Sequence, residues 1–250
     1  MKTLMLLLTG LTAATLTHAE SQAATEKFSK NYPVSAQAEL SLSNINGSVE
    51  VVVWDKNEIA IKAEKRASDS DNLAKIHINV DASQNHVDIQ TEHERTWWFF
   101  NRVSGSVRYT LHVPPMLALC KIHVVNSNIT IADVHGQINA RTVNGSVHVK
   151  GITTFADLHT VNGNIDASLE ASESDQVVTA KTVNGSCNLS LPTTIAATIH
   201  GHTVNGNVKC ALTLSDHQTS RHSLNGRIGA GDKGKIEATT VNGSIAFKAL

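Results

Sequence analysis

The sequence predicts an all-β fold, a single-chain parallel β-solenoid (β-helix) with an N-terminal β-strand section that caps it. Three observations predict this fold: a short motif that returns throughout residues 124–244, apolar and polar residues that alternate after each copy, and an aromatic content of only 4%. A motif that recurs near every ~20 residues is typical of solenoids, in which each repeat is one coil stacked on its neighbours. Abundant Val, Ile and Thr favour strands with a narrow core.

The N-terminus is predicted to be a leader. An apolar run follows a single lysine and ends before Thr17-His18-Ala19, which resembles a small-x-small cleavage site. Residues 1–19 are therefore predicted to be a secretory signal peptide, too short for a membrane span. We expect an exported protein, periplasmic or at the cell surface, with no transmembrane segment in the mature chain. Residues 20–27 are predicted to be a flexible N-terminus.

Residues 28–115 are predicted to be the β-strand section that caps the solenoid. The stretches "ELSLSNINGSVEVVVWD", "EIAIKAEKRA", "KIHINVDA", "HVDIQTE" and "GSVRYTLHVPP" have the composition of strands joined by polar turns. Pro114-Pro115 marks the end of the section, because proline cannot donate to a sheet ladder.

An aromatic segment interrupts this section between two of its strands. It has two interpretations: the rings fold back and seal the end of the solenoid, or they form an exposed tip that contacts a partner or a membrane surface. The candidate contact residues are Trp97, Trp98, Phe99 and Phe100.

Residues 116–250 are predicted to be the solenoid repeats. Copies of "TVNG" place one asparagine in each coil, and we predict that these asparagines turn a corner and form a hydrogen-bonded ladder. Apolar residues stand three and five places after each asparagine with a mixed residue between them, which is the pattern of a strand with one buried face. Asn-Gly also favours hairpins, so an antiparallel meander is the structural alternative. The ladder residues are Asn126, Asn144, Asn162, Asn184, Asn205, Asn225 and Asn242.

A second column provides the candidate ligand-binding row, three places before each asparagine. We predict that its side chains point outward, with successive members ~4.8 Å apart. The row is either a stack of neutral histidines that fills an exposed face, or a pH-tuned stripe for anionic glycans or lipid phosphates, since histidine gains charge below pH ~6.5. The column four places after each asparagine is mixed, which is typical of a solvated face. The row contains His123, Arg141, His159, Lys181, His202 and His222, with Thr239 as its seventh member.

The cysteine spacing, the net charge and the placement of aspartates argue against several kinds of site and partner. Cys120, Cys187 and Cys210 are predicted to be reduced, because the offset between Cys187 and Cys210 on neighbouring coils exceeds the ~7 Å reach of a disulfide. A formal net charge of -1 argues against a nucleic-acid partner. No two aspartates share a column on neighbouring coils, and no metalloprotease or serine-hydrolase motif is present. We therefore expect no catalytic residues, no cofactor and no metal site.

The early "NINGSVEVVVWDKNEIAIKA", the "VRYTLHVPP" strand and the "TVNG" coils together resemble the bacterial putative-adhesin family of β-strand-repeat proteins of unknown function. The resemblance covers residues 28–250 and implies a β-solenoid displayed beyond the inner membrane, with no catalytic residues to carry over. We expect a non-enzymatic, adhesin-like binding role toward a polysaccharide or envelope component. The first alternative is a structural or envelope-stress-related periplasmic protein that binds a partner or itself. The second, which the sequence favours least, is a polysaccharide-active β-helix enzyme.

Self-association is also suggested by the end of the chain. The strand "SIAFKAL" is the last repeat strand and no polar capping segment follows it. An uncovered solenoid end exposes unpaired backbone groups. We therefore expect a partner or a second copy to cover that end.

Overall fold

The computed structural model describes residues 23–94, 105–171, 175–230 and 233–250, and their regular structure is almost entirely β-strand. One short helix, α1 (Ser70–Ala74), follows the fourth strand. The strands are β1 (Ala24–Pro33), β2 (Glu39–Asn46), β3 (Val49–Val53), β4 (Glu58–Ala67), β5 (Ile76–Ala82), β6 (His86–His93), β7 (Gly105–Val113), β8 (Leu119–Asn126), β9 (Ile129–Ala132), β10 (Gln137–Arg141), β11 (Val147–Ile152), β12 (Phe155–His159), β13 (Ile165–Leu169), β14 (Gln176–Lys181), β15 (Cys187–Leu191), β16 (Ala197–Asn205), β17 (Val208–Cys210), β18 (Ser215–Thr219), β19 (Ser223–Ile228), β20 (Gly234–Asn242) and β21 (Ile245–Ala249).

These strands form two mixed sheets, neither of which closes on itself within the described residues. Sheet A has the order β1-β4-β7-β3-β9-β11-β13-β15-β21-β17, and sheet B the order β18-β19-β16-β20-β14-β12-β10-β8-β2-β6-β5. Each repeat contributes the strand before its motif to sheet B and the strand after it to sheet A. From β2 to β16 in sheet B and from β3 to β17 in sheet A the neighbours pair in parallel.

The parallel pairing decides against the antiparallel meander for the repeats and gives a solenoid-like stack of coils. Alternating apolar side chains from both sheets meet in one core that runs from the cap to the last coil. The column three places after each asparagine lies in this core: Ile129, Val147, Ile165, Cys187 and Ile245 are fully buried. The sequence prediction of an all-β fold is confirmed.

The order of the coils differs from the order of the repeats in the chain. The segment β2–β3 stacks directly on β8–β9, so it is a coil and not only part of a cap. The final segment β20–β21 lies between β14–β15 and β16–β17. Because β21 is an interior strand of sheet A, the expectation that it forms an uncovered end is wrong. The end of sheet A is instead the three-residue strand β17.

The copy "SLNGR" does not form a coil. Leu224, Gly226 and Ile228 are all buried, so the alternation of inward and outward residues continues straight through Asn225-Gly226 without a corner. Strand β19 consequently pairs antiparallel with β16, and β18 pairs antiparallel with β19.

At the other end, β7 and β6 pair in parallel with β3 and β2 of the first coil, and the antiparallel strands β4, β1 and β5 lie beyond them. Strands β1, β4 and β7 extend sheet A, and β6 and β5 extend sheet B. Residues 24–27 belong to β1 and pair with residues 64–67, which corrects the prediction of a flexible N-terminus through residue 27. The segment is regular strand because β1 pairs with β4 along its whole length, although β1 is the outermost strand of sheet A in the described residues. In the part of the chain that the structure describes, no helix has the length and apolar character that crossing a membrane requires.

Candidate binding surfaces

The motif asparagines form a continuous side-chain ladder along one corner of the stack. The amide Nδ2 of each donates to the Oδ1 of its neighbour at 2.8–2.9 Å. Asn225 lies outside this ladder because β19 runs antiparallel, and its Oδ1 contacts His200 Nδ1 instead. Asn46 of the first coil takes a place that the sequence analysis did not assign. In stacking order the ladder is Asn46, Asn126, Asn144, Asn162, Asn184, Asn242 and Asn205.

The threonine and glycine of the motif also serve contacts between coils. The buried hydroxyl of Thr160 donates to the carbonyl of Gly145 at 2.7 Å, and that of Thr182 to the carbonyl of Gly163 at 2.9 Å. A Cβ on Gly163 would lie 2.0 Å from the Gly145 carbonyl oxygen. These glycines are therefore required by close backbone approach between coils, and not by a positive φ.

The fifth motif position alternates between serine and asparagine because either oxygen serves the same role. Asn128 Oδ1 accepts the backbone N–H of Ser146 at 2.8 Å, and Ser146 Oγ accepts that of Asn164 at 3.2 Å. Thus four of the five motif positions are explained by contacts between neighbouring coils.

The valine is the exception, because its side chain points to solvent. We name this column the valine ridge. Five of its members are between 38% and 55% exposed, which are Ile45, Val161, Val183, Val241 and Val204. The other two, Val125 and Val143, are half-buried. Stacked at ~4.8 Å, the seven side chains make an apolar ridge about 29 Å long.

The candidate ligand row lies on the outer face of sheet B, two residues before the ridge. Its order in space is His123, Arg141, His159, Lys181, Thr239 and His202, held in register by parallel pairing. His222 is not a member, because it precedes the antiparallel strand β19 and Ser223 stands opposite His202. This corrects the sequence prediction for His222.

The centre of the row is neutralised by an acidic neighbour. Asp157 accepts from Arg141 Nη2 at 2.7 Å, and its other oxygen lies 2.6 Å from His159 Nε2. Burial alone would raise the pKa of Asp157, but the hydrogen bond from Arg141 and the charge of His159 outweigh it and hold that pKa below its ordinary value. Two of the six row members are therefore already engaged, which favours an architectural role for the row's centre.

A shallow depression of about 370 Å³ lies on the outer face of sheet A. His148 Nδ1 lies 3.3 Å from Asp166 Oδ2, and Asn188 Nδ2 donates to Asp166 Oδ1 at 2.8 Å. This site is not evident from the sequence, because its central residues stand in the mixed column that is typical of a solvated face and its serines and lysines stand two places further along. Its main polar lining residues are Thr130, His148, Lys150, Asp166, Ser168, Asn188, Ser190 and Lys248.

The remaining sequence predictions add no residues to these candidate binding surfaces. The aromatic segment with Trp97, Trp98, Phe99 and Phe100 lies outside the described residues, as does the predicted signal peptide 1–19. All three cysteines are free thiols, although β21 separates the coils of Cys187 and Cys210, which were expected to be neighbours. Among the described residues, no group of three or more His, Cys, Asp or Glu is placed to hold a metal ion.

Comparison with known proteins places the chain in a family. The family described as Toastrack DUF4097 matches residues 20–248. The chain belongs to the DUF4097 family. This confirms the resemblance that the repeats and the early strands carry. No curated protein matches the DUF4097 chain by sequence.

Solved structures match this chain at low sequence identity. A putative cell adhesion protein from Clostridium sporogenes aligns over 91% of this DUF4097 chain and 100% of its own, with a TM-score of 0.51 and 11% identity. A putative adhesin from Bacteroides fragilis aligns over 89% of this chain and 97% of its own, with a TM-score of 0.39 and 15% identity. The first of these supports the all-β, solenoid-like fold.

Proposed function

We propose that this DUF4097 protein is an exported, non-enzymatic binding protein of adhesin type. In this proposal a parallel β-solenoid presents a long flat face to an envelope or extracellular polymer. The observation that carries the proposal is the exposed valine ridge, which runs beside the candidate ligand row in unbroken register. The predicted leader and the names of the structural neighbours support export and an adhesive role.

The ridge carries the proposal because stacking does not require it. Threonine, asparagine, glycine and the fifth residue each make a hydrogen bond or a close contact to the next coil, whereas the valine side chain is left partly in water. An apolar patch of this length rimmed by polar groups is typical of an interaction site. Its straight, evenly spaced form suits an extended ligand better than a compact one.

Asp157 and Asp166, the two aspartates in the candidate surfaces, do not form a catalytic pair. Asp157 lies on the outer face of sheet B, and Asp166 lies on the outer face of sheet A, with the core between them. Hydrolysis of a glycosidic bond needs two carboxyl groups within ~10 Å of each other on one site. Asp157 is further committed to Arg141 and His159.

The test is a binding array of glycans and envelope fractions with the exported chain. Val161→Thr combined with Val183→Thr keeps the side-chain shape but removes apolar surface, and we expect it to weaken binding. Val177→Thr is the matched control, because Val177 is equally exposed at 39% but lies outside the ridge. Binding that survives the double change, or an array without any bound ligand, contradicts the proposal.

Export is tested separately by N-terminal sequencing of the protein from an envelope or culture fraction. We expect cleavage after Ala19. Intact Met1 in that fraction would contradict the signal-peptide part of the proposal.

A structural role by self-assembly is the second candidate, and the end of sheet A favours it. Among the described residues, β21 is the one strand that pairs with β17, although the N–H of Val208 on the other side donates to the Arg221 carbonyl; Leu212, Leu214 and Ile228 line a pocket beside β17. Unpaired strand edges next to apolar surface favour strand addition by another chain. Light scattering at rising concentration tests this role, and a monomer throughout would exclude it.

A further inference from the structure

We propose that the depression on the outer face of sheet A binds an oligosaccharide segment that carries acidic groups. This inference rests on the proposed function and names a ligand class and a second site for it, on a different face from the valine ridge. The site spans β9, β11, β13, β15 and β21, so five coils contribute to it.

The shape of the site follows from side-chain size. Ser168 and Ser190 form a low floor between Lys150 and Lys248, and Ala132 lies beyond Lys150 on the next strand. Ser168 pairs with Ser190, and Ser190 pairs with Lys248, so the two lysines are three coil steps apart, about 14 Å. The result is a groove that runs along the stack, across the strands.

A bulge in β11 shapes one side of the groove. The register between β11 and β13 shifts between Val149 and Ile152, and Gly151 has a φ of 79° there. Bulges of this kind bend a strand and redirect the neighbouring side chain. Here the neighbour is Lys150, so the irregularity occurs at a residue of the site in an otherwise regular stack.

The centre of the groove can satisfy sugar hydroxyl groups, which both donate and accept. A carboxylate offers about four acceptor positions; Asn188 occupies one on Asp166, and His148 Nδ1 lies 3.3 Å from its other oxygen. The Asn188 oxygen and the hydroxyls of Ser168 and Ser190 add further acceptors and donors. Asp166 and His148 are 42% and 45% exposed, so a ligand can reach them without displacing the fold.

The lysines add the preference for acidic groups. Two ammonium groups face a single carboxylate in the groove, and neither Lys150 nor Lys248 forms an ion pair in the described ranges 23–94, 105–171, 175–230 and 233–250. On the outer face of sheet B, by contrast, Asp157 already neutralises Arg141. Cations left without a partner on both sides of a hydroxyl-binding floor fit a polymer with carboxylate substituents.

The experiment measures binding of the exported chain to tetragalacturonate and to a hyaluronan tetrasaccharide, with methyl-esterified tetragalacturonate as the uncharged match. We expect Lys150→Gln with Lys248→Gln to weaken both acidic probes about tenfold or more, because charged hydrogen bonds are lost, and to leave the ester unchanged. Asp166→Ala should weaken the acidic probes and the ester alike, because it removes hydroxyl acceptors. Thermal unfolding of each variant verifies that the fold is retained.

Lys62→Gln with Lys121→Gln is the control, because it removes the same charge from exposed strand positions outside both the groove and the candidate ligand row. The proposed groove site is wrong if the control variant loses as much affinity for the acidic probes, or more. It is also wrong if neither acidic probe binds. If array ligands still bind through the valine ridge in that case, the proposed function stands without it. If no ligand on the array binds and neither acidic probe binds, both the groove site and the proposed function are wrong.

Discussion

The hydroxyl of Thr160 donates a 2.7 Å hydrogen bond to the carbonyl oxygen of Gly145 in the neighbouring coil. Thr160 is buried and Gly145 is half-buried, so water cannot readily replace this bond. Thr160→Val keeps the shape of the side chain but leaves this carbonyl without its donor. We expect a loss of about 1–3 kcal/mol in the free energy of unfolding, measured by chemical denaturation. Thr179→Val, on the outer face of sheet B, should change it by less than about 0.5 kcal/mol.

The glycine column should tolerate no added methyl group. In Gly163→Ala the new Cβ would meet the Gly145 carbonyl oxygen at 2.0 Å, and backbone on both coils would have to move apart. We expect a loss of about 3 kcal/mol in the free energy of unfolding. Gly226→Ala is the control from the motif copy outside the stack, where the nearest atom is 3.1 Å away. Equal losses in the two variants would contradict the close-approach explanation.

Asp157 should make stability depend on pH in the acidic range. Its pKa is lowered in the folded state from an ordinary value of 3.8, so the folded state favours the charged carboxylate. That contribution is complete above pH ~4 and is lost as the pH falls through the lowered folded pKa. Asp157→Asn should therefore destabilise the protein at pH 6 but much less at pH 2. An unfolding free-energy difference that stays constant across this range would argue against the Arg141 and His159 pairing.

The three thiols should react at different rates. Burial raises the pKa of Cys120 and of Cys187 to about 12, whereas Cys210 is only half-buried near the end of sheet A. Thiolate is the reactive form, so alkylation of the native protein should reach Cys210 first. Mass spectrometry after a timed iodoacetamide pulse measures the order. Early modification of Cys120 would show that the core opens more readily than its packing indicates.

Deletion of residues 234–250 should abolish cooperative unfolding. These residues form β20 and β21, which lie between the β14–β15 coil and the β16–β17 coil and pair with both. Their loss would leave the edges of β14, β15, β16 and β17 without a partner at once. Circular dichroism during thermal unfolding should show a broad or absent transition. A sharp transition lowered by a few degrees is the behaviour of a stack that loses only a terminal coil.

The sequence predicts the direction of each side chain better than the identity of its neighbours. Alternation around each Asn-Gly correctly indicates that Val147 points inward and Arg141 outward, because the two-residue period is a local property. The order of the coils is not local. The TVNG copies all offer the same amide, hydroxyl and close backbone contact, so the motif does not determine which of these coils stack on each other.

The missed groove follows from the same limit. Lys150 and Lys248 are 98 residues apart in the chain and share a site only because β21 lies inside sheet A. If the coils stacked in the order of the chain, Lys248 would lie in the last coil, far from Lys150. The hydrogen bond between Arg141 and Asp157 forms because β10 lies beside β12. Asn225 is excluded from the asparagine ladder because Leu224 points inward and β19 continues without a corner.

The interior position of β20–β21 has a consequence for how the protein matures. A chain delivered from its N-terminus can stack the coils that carry Asn126 to Asn184 as they emerge. The segment 197–210 emerges next, with ladder groups that match the exposed edge of β14–β15, yet its final neighbours have not been made. Either this segment waits, or it occupies that edge and is later displaced by residues 234–249. The native stack therefore cannot be completed in the order in which it is synthesised.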